Sequence, residues 1–214
     1  MPRQPRSSNP SMNAAELVRR DGELLAILDQ WFARAAARAG DQIACHAGCA
    51  QCCMGAFAID RLAALRLQRG LDELKKSAPE RAQRVLERAA LWLERQGEFF
   101  PGSLESGLID ETSEALEQFE EFANDEACPA LDPETKRCEL YAHRPLTCRL
   151  FGAPLATDEG IGICELCFTT AAPEAVAEAL VPLDGEELEA RLNGEAERGY
   201  GTGRTIVAFA LLGA

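Results

Sequence analysis

Nine cysteines carry the chemistry of this chain, and all of them lie between Cys45 and Cys167. The first group, Cys45-His46-Ala47-Gly48-Cys49-Ala50-Gln51-Cys52-Cys53, places four thiols within nine residues. The second group occupies one 40-residue segment and comprises Cys128, Cys138, Cys148 and the CxxC pair Cys164 and Cys167. Cysteine used as a small buried hydrophobe gives no reason for such clustering. Thiolate-rich shells select zinc, iron-sulfur clusters or copper(I) and exclude magnesium and calcium. The competing chemistry is a reversible disulfide, for which Cys164 and Cys167 are the best placed.

If the first group were helical, its thiols would spread over about 12 Å of axis, whereas thiolates sharing one tetrahedral zinc stand about 3.8 Å apart. One ion cannot reach all four. Either Gly48 lets the chain fold into a knuckle around a metal, or the four thiols serve more than one iron or zinc atom, with ligands from the second group completing each shell. His46 is a candidate accessory ligand and His143 ranks below it. Metal and thiolates together are anionic and need nearby positive charge and N–H donors. Arg144, Arg149, Lys136 and Arg137 are candidates for that role, the alternative being that they pair with surface acids.

The rest of the chain must position these residues. There are 22 Lys and Arg against 35 Asp and Glu, a formal charge of -13. Residues 1–100 hold 15 bases and 12 acids, while residues 101–214 hold 7 bases and 23 acids. So acidic a chain lacks the basic footprint of nucleic-acid binding. The N-terminus shows no apolar stretch that would serve as a signal sequence, and the longest apolar run, residues 205–214, is about half the ~20 residues of a spanning helix. The expectation is a cytoplasmic protein that does not enter membranes. In a reducing compartment, clustered cysteines with an odd count argue for metal or redox chemistry over structural disulfides.

Hydrophobic periodicity predicts a helix from Ser11 or Asn13 to Gly40, a second through Phe57, Leu62, Leu65 and Leu67 ending near Gly70, and a third opened by a Ser77–Glu80 capping box and running to about Gln96. A fourth is expected over 110–123, within a stretch (105–126) of nine acids and no base that reads as a solvated face. Residues 128–168 read as irregular, a last helix is expected over roughly 174–193, and Thr205-Ile206-Val207 as a short strand or a packed terminus. No internal repeat is found. The fold class is therefore mainly α: a small helical domain with two irregular cysteine-rich segments converging on a metal centre. Residues 1–11 are expected to form a flexible tail and 12–214 a single metal-binding domain, with 54–127 a helical insert between the cysteine groups.

The first group resembles the CxxCxxCC signature of the YkgJ-like cysteine-cluster family, described as zinc- or iron-chelating, with a first gap of three residues in place of two. The second half is similar to the same family through Cys128-Pro129-x-Leu131, then Arg137-Cys138-x-x-Tyr141-x-x-Arg144-Pro145-x-x-Cys148-Arg149-x-Phe151, then a final cysteine. The resemblance implies eight recurrent cysteines: Cys45, Cys49, Cys52, Cys53, Cys128, Cys138, Cys148 and either Cys164 or Cys167. At the matched positions, Arg144-Pro145 imposes an extended turn before Cys148, Tyr141 can pack over the cluster and donate its hydroxyl, and Arg149 follows a ligand directly. Tyr141, Arg144 and Arg149 are thus expected to contact the bound group.

The resemblance implies an iron-sulfur cluster or zinc, acting in structure, electron transfer or sensing. A protein partner is left open. A rival from another class is a protein-modifying enzyme: flagellin lysine methylases carry a similar cysteine module and use S-adenosylmethionine. Against it, the only glycine-rich run is Gly199 to Gly203, followed by no helix of useful length. Cys45, Cys49 and Cys52 also match the radical S-adenosylmethionine spacing, but Gln51 replaces the usual aromatic and the chain lacks the strand–helix alternation of a barrel.

Overall fold

The computed structural model of the chain describes residues 13–157, 160–181 and 184–213; the expected tail, residues 1–11, lies outside them. Eight helices and two small antiparallel sheets are found among the described residues, so the fold is mainly α. Helix α1 (Ala14–Ala39) starts where the Asn13 side chain accepts the Glu16 N–H and stops at Gly40, which adopts a φ of 55°. Helix α2 (Arg61–Ser77) is capped by Asp60, and α3 (Pro79–Gln96) carries Pro79 in its first turn. Helix α4 (Ser113–Glu121) is capped by Thr112, and its glutamates are exposed.

Three boundaries differ from the sequence expectation. Helix α2 does not end near Gly70 but runs through it, because the His143 ring lies against the helix there: a Cβ on Gly70 would stand 2.5 Å from His143 Cγ. Ser77 forms no capping box; its hydroxyl donates to the Glu73 carbonyl and finishes α2 instead. The single helix expected over 174–193 is two, α6 (Pro173–Glu178) and α7 (Asp184–Tyr200). The irregular stretch contains the short α5 (Leu146–Leu150). Two hairpins complete the chain, β1 (Gly102–Ser103) with β2 (Leu108–Ile109) and β3 (Leu155–Thr157) with β4 (Gly160–Gly162), with Gly102 opposite Ile109 and Leu155 opposite Gly162.

The core forms around α8 (Val207–Leu212), which is enclosed by α2 and α3 through Leu67, Leu71, Val85, Ala89 and Ala210. Before it, Thr205 makes one antiparallel bridge with Ile59, with N–H···O distances of 2.8 and 2.9 Å, so the β-branched tail is a strap followed by a helix. Phe209 of α8 also meets Phe100 at a centroid distance of 4.9 Å, beside Trp92 and Phe122. On the other side of α2, Leu62 packs with Leu24 and Leu28 of α1 and with Leu192 and Ala196 of α7.

A charged cluster sits inside this second packing layer. Arg66 is fully buried and donates to Asp21 Oδ1 at 2.7 Å and to Glu189 Oε1 at 3.0 Å, while Arg69 donates to Asp21 Oδ2 at 2.7 Å. Although burial works against its charge, Asp21 is held below the usual carboxylate range by Arg66 and Arg69. Burial, with the charges of Asp60 and Asp21 and against the pull of Arg66, pushes Glu189 up to about 7. A carboxyl raised in the folded state binds its proton there between about pH 4.5 and 7 while the unfolded chain does not. That stability is therefore complete below about pH 4.5 and gone above about pH 7. Glu189→Gln should flatten the fall in melting temperature across this interval; an unchanged slope would remove Glu189 as its source. Gly70→Ala should destabilise by about 1–3 kcal/mol through overpacking against His143, read by urea unfolding.

Candidate metal centre

The first cysteine segment is not one helix. A turn closes from the Cys49 N–H to the His46 carbonyl at 3.0 Å, made possible by Gly48 at φ 97°, and a separate 3-10 turn follows over Gln51–Cys53. This break sends the four thiols to two places. Cys45 and Cys49 neighbour Cys164 and Cys167, and Cys52 and Cys53 neighbour Cys128, Cys138 and Cys148. The nine thiols are thus divided four and five, and all nine are free.

The four-thiol group is framed by loops. The Ala44 N–H donates to Cys167 Sγ at 3.4 Å, the Cys45 thiol donates to the Phe151 carbonyl at 3.6 Å, and the Phe168 N–H donates to the Gln42 carbonyl at 2.8 Å. Gly152, at φ 103°, forms one wall: a Cβ there would lie 2.5 Å from Cys45 Sγ and 3.7 Å from Cys167 Sγ. The five-thiol group is framed by bridges. The Cys128 N–H donates to the Cys53 carbonyl at 2.7 Å beside the Met54–Ala127 bridge, and Cys138 pairs with Leu131. The Cys52 and Cys53 sulfurs are 4.0 Å apart, and the Cys148 thiol lies 3.9 Å from the Cys52 carbonyl.

Burial first and crowding second set the acidity of most of these thiols. Burial, together with the charges of Cys167, Cys49 and Cys164, pushes Cys45 up to about 12. Burial likewise pushes Cys128 up to about 12, reinforced by Cys138 and Cys52, and drives Cys148 upward with help from Cys128, Cys52 and Cys138. Cys52 is the exception: the Cys53 thiol donates to it and Arg144 stands nearby, so its thiol is held below the ordinary range while that of Cys53 rises. Among the described residues, no group of three or more Cys, His, Asp or Glu side chains is arranged to hold an ion as it stands.

A cleft of about 470 Å³ opens over both groups, reaching Cys45, Cys49 and Cys164 on one side and Cys52, Cys53, Cys138 and Cys148 on the other. Behind the five-thiol group lies a smaller cavity of about 30 Å³, backed by Leu67, Trp92 and Val207.

The basic residues singled out by sequence have distinct positions. The Arg144 guanidinium stacks 3.7 Å from the Tyr141 ring centroid and donates to the Tyr141 and Cys148 carbonyls at 3.1 and 3.2 Å. Arg149 is buried, pairs with Asp29 and donates to the Ala142 carbonyl at 2.6 Å. Arg66 adds a bond to the Arg144 carbonyl at 3.4 Å. Three guanidiniums therefore hold the main chain of residues 141–148 from which Cys148 projects. Tyr141 is exposed at the rim of the cleft. Lys136 and Arg137 also line it, and their side chains have no hydrogen-bond or ion-pair partner among the described residues. His46 Nδ1 lies 2.8 Å from the Ala44 carbonyl, and His143 pairs with Glu73 at 3.3 Å.

Sequence reasoning missed Gly152, Arg66 and Asp29. Gly152 gave no signal, because what it accommodates is a sulfur 107 positions earlier in the chain. Asp21 and Arg66 did leave one: each interrupts the apolar stripe of its helix, Asp21 between Leu17 and Leu24 and Arg66 between Leu62 and Leu67.

The sequence pattern of a family described as "CxxCxxCC: Putative zinc- or iron-chelating domain" matches residues 44–168. The chain belongs to the CxxCxxCC family. The matched span takes in all nine cysteines of this CxxCxxCC protein and the helical stretch between them. No curated protein and no solved structure gives a significant match. The family description agrees with the donor set, which is almost purely sulfur. No described helix is long and apolar enough to cross a membrane. Because a lysine cannot stack on Tyr141 and donate along two directions, Arg144→Lys should lower stability by about 1–3 kcal/mol; a variant with an unchanged urea midpoint would show that the clamp is dispensable.

Proposed function

We propose that this CxxCxxCC protein is a metal-thiolate protein, binding zinc or an iron-sulfur cluster through Cys45, Cys49, Cys52, Cys53, Cys128, Cys138, Cys148 and the Cys164–Cys167 pair, with a role in structure, electron transfer or sensing. The observation that carries this reading is the gathering of nine free thiols, from two segments far apart in the chain, into two crowded groups, in which burial and then neighbouring thiols push Cys45 and Cys128 up. Such an arrangement is unfavourable for thiolates alone and is relieved by a cation among them. When bound, zinc supplies a rigid cross-link and an iron-sulfur cluster a one-electron couple.

The residues of the chain have separate tasks in this reading. The thiols give up protons to become ligands. Arg144 lies near Cys52 and Cys138 and counters the charge that ionised thiols create. Arg149 and Arg66 fix the backbone that presents Cys148, and Lys136 and Arg137 bring two unpaired positive charges to the cleft. The protein-modifying alternative has one observation in its favour, the cleft with Phe32, Tyr141 and Phe151 beside the thiols. Calorimetric titration with S-adenosylmethionine separates the two, heat of binding favouring the enzyme.

Protein purified without oxygen should contain stoichiometric iron with visible sulfur-to-iron absorbance, or colourless bound zinc. Cys148→Ser and Cys52→Ser should each lose metal and several kcal/mol of stability, since binding energy at such sites is folding energy. Full metal content in either variant would refute the assignment.

A further inference from the structure

We infer that the two thiol groups are two separate centres of unequal permanence, and that the outer one, Cys45, Cys49, Cys164 and Cys167, takes a soft divalent cation that exchanges with solvent while the inner one retains its metal. This rests on the metal-thiolate reading above and assigns different work to the two halves of the ligand set. Four thiols complete a tetrahedral shell with nothing borrowed from the inner group. The inner five are likewise sufficient without the outer four.

What surrounds each group decides how readily it opens. Of the outer thiols, Cys164 and Cys167 are buried in a small satellite cluster with Ala39, Phe168 and Ala179, whereas Cys45 is exposed and Cys49 half-buried where they face the cleft. Their frame is loop backbone closed by single hydrogen bonds, from Ala44 to Cys167 and from Phe168 to Gln42. The inner thiols sit on the main core: Cys128 and Cys138 pack against the cluster formed by α2, α3 and α8, and two backbone bridges fix their segments. Opening a loop cluster requires little free energy, whereas opening the core approaches the cost of global unfolding. A competing chelator therefore reaches the outer cation through local motion alone; the cation passes to the chelator as the four thiolates take up protons from solvent. At the inner centre the cleft also gives access to Cys52, Cys53, Cys138 and Cys148, but complete release there requires Cys128 and Cys138 to part from the core against which they pack.

Gly152 makes the outer centre testable without touching a ligand. Its φ of 103° and the 2.5 Å separation between a would-be Cβ and Cys45 Sγ mean that Gly152→Ala must displace Cys45. The full chain loaded with zinc is mixed with the chromogenic chelator 4-(2-pyridylazo)resorcinol, and zinc release is followed over time. The expected result is two phases separated by at least about tenfold in rate. Gly152→Ala and Cys164→Ser should each abolish the fast phase and leave the amplitude of the slow phase, which itself reports that the variant is folded. Release in a single phase from the parent protein would overturn the inequivalence while leaving metal binding intact, and so would a fast phase that survives Gly152→Ala. A parent protein that takes up neither zinc nor iron would overturn the metal-thiolate reading itself.

Discussion

Burying a charge costs several kcal/mol unless close partners answer it on every side, and Arg66 is buried completely. It is answered by Asp21 from α1, by Glu189 from α7 and by the carbonyl of Arg144. Those groups must therefore stay within hydrogen-bond reach, which fixes α1, α2 and α7 relative to the turn that leads to Cys148. Arg144 and Arg149 continue the same tie outward by donating to the carbonyls of residues 141, 142 and 148. The short 3-10 turn and helix α5 in this stretch of main chain are thus tied down by guanidiniums as well as by their own few backbone bonds.

Like charges at close quarters explain the rest of the site. Burial first, and after it repulsion from the neighbouring thiols, makes Cys45 and Cys128 harder to ionise. The short Gly48 turn partitions this repulsion into a set of four and a set of five. A single merged group of nine would concentrate more negative charge than the few cations around the cleft can balance.

Much of this was legible in the sequence where short-range chemistry decides. Asn13 and Gly40 bound α1 as expected, and the apolar stripes of the first three helices face the core. The cysteine clustering pointed to metal or redox chemistry, and the resemblance of Arg144-Pro145 and Cys148 to a family pattern pointed to chelation. What could not be read depends on distant contacts. Gly70 looks like a helix end until His143 arrives, and Ser77 looks like a cap for α3 until its hydroxyl turns back on α2. The spacing left a division of the first four thiols open as one of two alternatives, but not which later cysteines join which, since Cys45 and Cys167 come together beside the distant loop at Gly152.

The bond from Cys128 to the Cys53 carbonyl and the adjacent Met54–Ala127 bridge close the base of the whole 54–127 excursion. Since α2 and α3 in that excursion also wrap α8, the inner five sulfurs become neighbours only when this clasp and the core it encloses form together. In a chain that has not folded, Cys52 and Cys53 are adjacent and the other three are scattered. A soft ion that needs four sulfurs at once would therefore distinguish a finished molecule from an unfinished one, making occupancy of the inner group a record of completed folding.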